Sequence, residues 1–129
     1  MYRRVIVKKI NELAEDIDIY ISQHAIYINR LEKAIEGKLE FKPTDCHSCA
    51  FGKAIDLIKD ECMENLPENL KTLFKEIYDL HCEFHNISKN ILESKEKEKQ
   101  LEKIKDISTK LFQKLLQFKN TAKKEPTTI

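Results

Sequence analysis

The chain has 129 residues, the length of one ordinary domain, and can bury about two-thirds of its unfolded surface without help from disulfide bonds. Only 2 glycines and 3 prolines accompany 35% charged and 41% hydrophobic residues, which excludes a many-stranded β fold and a disordered chain and favours helices. With 23 basic and 22 acidic residues the formal charge is +1, so neither nucleic acid nor a membrane is an expected partner.

Cellular location follows from what the sequence does not contain. No uncharged stretch approaches the roughly 20 apolar residues of a spanning helix, and no apolar core or cleavage site of a signal peptide follows the N-terminal basic residues. We therefore expect a cytoplasmic protein. In that reducing compartment cysteines are more typical of metal ligands, redox-sensitive thiols or core residues than of disulfides. The chain has four: Cys46, Cys49, Cys62 and Cys82.

The first half of the chain predicts two helices. Over residues 5–35 apolar side chains recur every three or four positions, which indicates one long amphipathic helix. Gly37 is suited to the left-handed residue that ends such a helix. Thr44 or Asp45 can cap a second, shorter helix over about 45–62.

The second half predicts two more helices. Asn65 and Glu68 have the spacing of a capping box at the start of a third helix, and the charged residues 94–100 favour a turn before a fourth. The result is an all-α, antiparallel four-helix-type bundle over residues 1–121, followed by a flexible tail at 122–129. Apolar residues on the first and last helices that one bundle does not cover completely favour a homodimer.

Three histidines occupy positions where the helical pattern calls for buried residues. His81 and His85 are four residues apart on one face of the third helix, where both imidazoles can bind a single ion. His24 lies on the inward face of the first helix, where a polar ring is costly without a partner. A cysteine would complete a tetrahedral metal site, and residues 45–53 (DCHSCAFGK) supply candidates.

These residues form a three-part motif. It reads His24-x-x-Tyr27, then Asp45-x-His47-Ser48-Cys49-x-Phe51-Gly52-Lys53, then His81-x-x-x-His85. The motif resembles the chemoreceptor zinc-binding domain family, CZB, across most of the chain. That family holds one zinc ion by three histidines and one cysteine inside a helical bundle. The resemblance implies as ligands His24, Cys49, His81 and His85. The sequence departs from the family at Tyr27, commonly Trp, and at Ala54 and Ile55, commonly an aromatic pair; both departures concern packing more than ligation.

The resemblance also implies a function. CZB domains act in bacterial signal transduction, in chemotaxis or cyclic-di-GMP signalling, and sensing of zinc or of oxidants such as hypochlorous acid would act through the bond between Cys49 and zinc. Oxidation of the sulfur would weaken that bond and free the 45–62 helix; alternatively, available zinc would itself clamp the helices. The expected partners are a second copy of the chain and a chemoreceptor or diguanylate cyclase output domain, in cis or in trans. No signalling coiled coil or GGDEF-like loop is expected within the chain itself. The alternative is a structural, zinc-stapled dimerisation module without a sensing role.

Other chemistry is disfavoured. Four protein ligands leave no position on zinc for a catalytic water, and the sequence has neither an HExxH motif nor the inward Glu-x-x-His pair of a di-iron bundle. We expect no enzymatic activity. Cys46 is a candidate resolving thiol for an oxidised Cys49. Cys62 and Cys82 are expected to be small, half-buried hydrophobic residues, with Cys82 pointing about 100° away from the site.

Overall fold

The fold is described from a computed structural model, which covers the backbone of residues 2–124 and the side chains of residues 8–123. Four helices follow one another: α1 (Tyr2–Ile35), α2 (Ala50–Glu61), α3 (Glu68–Asn90) and α4 (Lys97–Lys124). α4 packs along both α3 and α1, and α2 lies against α1. The described part is helical without strands, at 83% helix, which confirms the predicted all-α bundle. None of its helices is both long and apolar enough to cross a bilayer.

The first helix ends as predicted. Gly37 adopts a φ of 78°, in the left-handed region that favours glycine. Its N–H donates to the carbonyl of Ala34 (3.0 Å), and the N–H of Lys38 donates to the carbonyl of Lys33 (2.9 Å). This pair of bonds is the Schellman arrangement, and it satisfies carbonyls that the end of α1 would otherwise leave unpaired.

The second helix begins later than predicted. Its N-cap is Cys49, whose Sγ accepts a hydrogen bond from the N–H of Gly52 (3.2 Å). Asp45 instead accepts hydrogen bonds at Oδ1 from the N–H of His47 (2.8 Å) and the hydroxyl of Ser48 (2.9 Å). The predicted start at residue 45 is wrong because this side chain holds its own local turn, which competes with helix formation.

The third helix begins at Glu68, but its N-cap is not Asn65, the residue that the predicted capping box requires. Asn65 ends a 3-10 turn (Met63–Asn65), and the residue at the N-cap is Pro67. A proline drives the residue before it into extended backbone, and Leu66 is extended accordingly, with ψ of 147°. Asn65 therefore lies two residues before the N-cap of α3.

The charged segment contains the predicted turn, at residues 94–96, and α4 starts within that segment. The turn is preceded by a short 3-10 helix (Ile91–Glu93). α4 runs through Lys124, three residues into the predicted tail, and residues 125–129 lie outside the part of the chain that is described.

The interior contains two clusters of hydrophobic side chains, one above the other along the bundle. The first involves all four helices and includes Ile17, Phe51 and Ile77; the second includes Leu31 and Phe84. Along α1, His24 lies between Ile17 and Leu31, and it is only 3% exposed. The junction between the two clusters is therefore polar.

Candidate metal site

The four side chains implied by the resemblance meet at this junction. Each offers one nitrogen or sulfur atom, and these atoms lie within 4.8 Å of one another. The members of this His₃Cys cluster are His24 on α1, Cys49 at the N-cap of α2, and His81 and His85 on α3. The three imidazoles are buried, and the thiol is half-buried.

His81 lies at the centre of the cluster. Its Nε2 is 3.1 Å from Nε2 of His24 and 3.2 Å from Sγ of Cys49. In a tetrahedral zinc site with Zn–N bonds of about 2.0–2.1 Å, nitrogen ligands lie about 3.3 Å apart. The spacing of the atoms therefore suits one small tetrahedral cation.

Backbone carbonyls fix the orientation of the other two rings. Nδ1 of His24 is 2.8 Å from the carbonyl oxygen of Tyr20, and Nδ1 of His85 is 2.8 Å from the carbonyl oxygen of Thr44. A carbonyl only accepts hydrogen bonds, so each Nδ1 carries the proton and each Nε2 carries a lone pair. Histidines that bind metals are commonly oriented in this way.

Two buried side-chain nitrogens within residues 8–123 have no hydrogen-bond partner: Nδ1 of His81 and Nε2 of His85. Leaving a buried polar atom unpaired costs about 1–3 kcal/mol. Nε2 of His85 is the atom that carries the lone pair, and a cation bound by the cluster would supply its missing partner. The donor set of three imidazoles and one thiol is also a combination that zinc binds. The residues thus fit a zinc ion.

Burial keeps the three imidazoles neutral. It lowers the pKa of His81 to about 2, with further lowering by the neighbouring His24 and His85, and it lowers the pKa of His24. It also lowers the pKa of His85 to about 4, although the hydrogen bond to Thr44 acts in the opposite direction. At neutral pH all three rings therefore offer lone pairs rather than positive charge.

The thiol behaves differently. Burial raises the pKa of Cys49, and hydrogen bonds from the backbone N–H groups of Gly52 and Phe51 offset part of that rise. Without a cation the sulfur is therefore protonated at neutral pH. A bound metal ion would deprotonate it, because a coordinating thiol gives up its proton.

A close backbone approach brings Cys49 to the cluster. A Cβ atom at position 52 would lie 1.9 Å from the carbonyl oxygen of Cys46, so only glycine fits there. Gly52 thus lets the segment before α2 fold back onto the first turn of that helix. This contact explains physically why the motif has a glycine three residues after its cysteine.

A second layer of hydrogen bonds surrounds His85. The hydroxyl of Ser88 donates to the carbonyl of His85 (2.9 Å), so the hydroxyl of Tyr27 is the donor to Ser88 Oγ (2.7 Å). The Tyr27 oxygen in turn accepts from the N–H of Thr44 (3.2 Å), whose carbonyl holds His85. From the sequence, Thr44 is a candidate helix cap and Tyr27 a packing residue, so neither contact is expected. No local spacing relates Thr44 to a histidine 41 residues away.

The remaining cysteines correct two predictions. Cys46 and Cys82 form a disulfide, with their Cα atoms 4.8 Å apart. The expectation that the cysteines are not paired is therefore wrong, and so is the treatment of Cys82 as a simple hydrophobic residue. Because Cys46 is bonded to Cys82, it is not a free thiol that could resolve an oxidised Cys49. A pairing across 36 residues depends on how α3 packs, which local patterns do not reveal.

Cys62 and His47 lie outside the His₃Cys cluster. Cys62 is a free thiol, 2% exposed, in the first hydrophobic cluster, and is more deeply buried than predicted. His47 is exposed, and its Nδ1 lies 2.9 Å from Oδ2 of Asp56. Within the described residues, no carboxylate joins the His₃Cys cluster.

One known protein family matches the part of the chain that contains the cluster. The family model of the chemoreceptor zinc-binding domain matches residues 24–92, more than half of the chain, and this range contains all four members of the cluster. Comparisons with curated proteins and with solved structures gave no significant match. The family is a regulatory zinc-binding domain of chemoreceptor-type signalling and not a catalytic family. The chain belongs to the chemoreceptor zinc-binding domain family.

Proposed function

We propose that the chain is a cytoplasmic sensory domain without enzymatic activity, in which the His₃Cys cluster holds one zinc ion. The observation that supports this most strongly is the buried Nε2 of His85, which has no hydrogen-bond partner and belongs to a cluster of two further imidazoles and a thiol. One thiolate and three neutral imidazoles would give the occupied site a net charge of about +1, which a bundle interior tolerates better than a bare ion. When bound, zinc supplies the positive charge that keeps the sulfur deprotonated.

The sensing step is assigned to Cys49. It is the one half-buried donor in a cluster of buried rings, so an oxidant from solvent meets the sulfur first. Hypochlorous acid would convert the thiolate to a sulfenic acid and be reduced to chloride. The oxidised sulfur binds zinc more weakly and accepts the N–H of Gly52 less well, which loosens both the metal site and the start of α2.

Zinc itself is a second possible signal for the same site. The cluster includes residues of α1, of the start of α2 and of α3. Zinc binding would therefore hold these three helices together, and loss of zinc would release them. In either case the element that moves is α2. The output would pass to a chemoreceptor or diguanylate cyclase in the same or another chain, in line with the signalling context of the family.

A structural zinc staple is the competing function. It is favoured by the rigidity of the site, because two of the three imidazoles are tied to backbone carbonyls and all three are buried. Such a staple would hold the bundle together without responding to any signal. The two functions differ in what happens to α2 when Cys49 is oxidised.

The proposed partner at the level of assembly is a second copy of the chain. Ile19 and Ile26, seven residues apart on α1, are 54% and 59% exposed, which places two large apolar side chains on one face. A seven-residue spacing is typical of helices that pair along their length. We therefore assign the dimer contact to this face of α1.

The ligand assignment predicts metal content. Untagged protein is expected to hold about one zinc per chain, and Cys49→Ala and His81→Gln are expected to lose most of it, because each removes one of four bonds. The matched controls are Cys62→Ala, a buried thiol outside the cluster, and His47→Gln, an exposed imidazole beside it; both are expected to keep the zinc. Mass spectrometry of metals gives the stoichiometry. Full zinc content in both ligand variants would refute the assignment.

The sensing role predicts a coupled response to oxidation. With the Cys46–Cys82 disulfide intact, Cys49 and Cys62 are the free thiols. Hypochlorous acid added to Cys62→Ser protein is expected to release zinc and to increase amide hydrogen exchange in Ala50–Glu61. If oxidation of Cys49, seen by intact mass, leaves the zinc content and the exchange of α2 unchanged, the structural staple is correct instead.

The buried imidazoles predict a pH dependence of the metal-free protein. Their folded-state pKa values lie below the ordinary 6.5 of the unfolded chain, so the unfolded state binds more protons as the pH falls below about 6.5. Stability is therefore complete above that pH and declines toward pH 4. The melting temperature in EDTA is expected to fall between pH 7 and pH 5, and less steeply in His85→Gln. Equal slopes in the two proteins would contradict neutral burial of His85.

The dimer assignment predicts a change of mass in solution. Ile26→Glu is expected to give monomers in sedimentation equilibrium, because it places a charge in the contact face of α1. Leu57→Glu, at a residue 55% exposed on α2, is the control and is expected to remain dimeric. A wild-type chain that is monomeric at all concentrations would rule out the dimer.

A further inference from the structure

The disulfide joins two segments that each carry a member of the His₃Cys cluster. Cys46 precedes Cys49 by three residues, and Cys82 directly follows His81. The link closes a loop that contains all of α2 and the part of α3 that precedes Cys82. Neither sulfur has a part in the zinc site, so their pairing requires a separate explanation.

Only one of the two sulfur-bearing residues faces open space. Cys46 is 6% exposed, whereas Cys82 is half-buried. Cys82 also lines an open surface groove of about 550 Å³, together with Tyr78, Asn86 and Lys103. A small thiol or disulfide in this groove could reach the sulfur of Cys82 while Cys46 stays covered.

Apart from the disulfide, the turn before α2 is held mainly by its own hydrogen bonds. Asp45 bonds to the two residues that follow Cys46, and the side chain of His47 reaches Asp56 on α2 itself. These contacts give the turn its shape but do not reach α3. The noncovalent tie of this segment to α3 is the hydrogen bond between the Thr44 carbonyl and Nδ1 of His85, which is itself a member of the cluster. The covalent bond to Cys82 also attaches the turn to α3, and it holds Cys49 within reach of His81.

We propose that Cys46 and Cys82 are a reversible redox link that controls how firmly the chain retains zinc. The inference rests on the proposed role of Cys49 as a zinc ligand. With the link closed, a Cys49 that leaves the metal remains beside it at a high effective concentration and binds again. With the link open, the turn and the start of α2 can move away from α3 together.

The co-reactant is a low-molecular-weight thiol–disulfide couple of the glutathione class. In closing, the thiolate of Cys82 attacks the small disulfide, releases one small thiol and forms a mixed disulfide; Cys46 then displaces the second small thiol. Two cysteine thiols are oxidised and one small disulfide is reduced to two thiols. Opening is the reverse sequence, and it begins at Cys82, the half-buried residue that lines the groove.

The link gives the domain two responses to oxidants. A mild shift of the thiol–disulfide couple closes the link and strengthens zinc retention without touching Cys49. A strong oxidant attacks Cys49 directly and releases the metal. The domain thus keeps its zinc under mild oxidation and loses it only when a strong oxidant reaches Cys49.

The test compares zinc release from the same zinc-loaded chain, equilibrated with either oxidised or reduced glutathione and then freed of it. Transfer of zinc to a chromogenic chelator is expected to be about tenfold or more slower from the oxidised protein. Cys46→Ser and Cys82→Ser are expected to release zinc at the fast rate in both conditions. The matched control, Cys62→Ser, is expected to behave as the wild type.

A thiol count separates the possible failures. Alkylation of the metal-free, denatured chain, followed by intact mass, is expected to find two free thiols after oxidation and four after reduction. Four thiols in both conditions, or equal release rates despite a formed disulfide, would overturn the link alone. A second zinc on the reduced chain that is lost in Cys82→Ser would also overturn it, because the pair would then be a metal site with His47. A chain without zinc in either condition would overturn the proposed function and this inference together.

Discussion

The burial of three imidazole rings at the junction of two hydrophobic clusters is the constraint on which the rest of the structure depends. An imidazole is costly inside a bundle unless both of its nitrogens have partners. Backbone carbonyls satisfy one nitrogen each of His24 and His85, and the second nitrogens converge with His81 on Cys49. The bundle is thus built around an electron-rich centre that a cation would stabilise.

This centre has its largest effect on α2. The other three helices are long and pack along one another, whereas α2 has 12 residues and lies mainly against α1. It is attached by Phe51, Ile55 and Ile58 in the core, by Cys49 at its first turn and by the disulfide of the preceding turn. The attachments at the start of α2 therefore include two that depend on sulfur, at Cys49 and at the disulfide. In the proposed function a redox signal would act on this short element, since one chemical change at sulfur removes a bond that fixes its first turn.

The helices could be predicted from the sequence because their apolar spacing is a local signal, and Gly37 marked the end of α1 for an equally local reason. The start of α2 could not be predicted, because the side chain of Asp45 forms its own local turn. The cap of α3 could not be predicted either, because Pro67 makes the preceding residue extended and itself takes the N-cap position. Helical spacing singled out His24, His81 and His85, whereas the choice of Cys49 as the fourth member was implied by the family motif. The disulfide and the support of His85 by Thr44 join residues 36 and 41 positions apart, and only the packed bundle brings them together.

X-ray absorption at the zinc edge tests the central claim most directly, since it counts and identifies the atoms around the metal. The account predicts three nitrogen neighbours at about 2.0–2.1 Å and one sulfur at about 2.3 Å, with the sulfur replaced by a lighter atom in Cys49→Ala. Two or more sulfur neighbours, or a sulfur that persists in that variant, would place the metal at other cysteines and contradict the His₃Cys cluster as the zinc site.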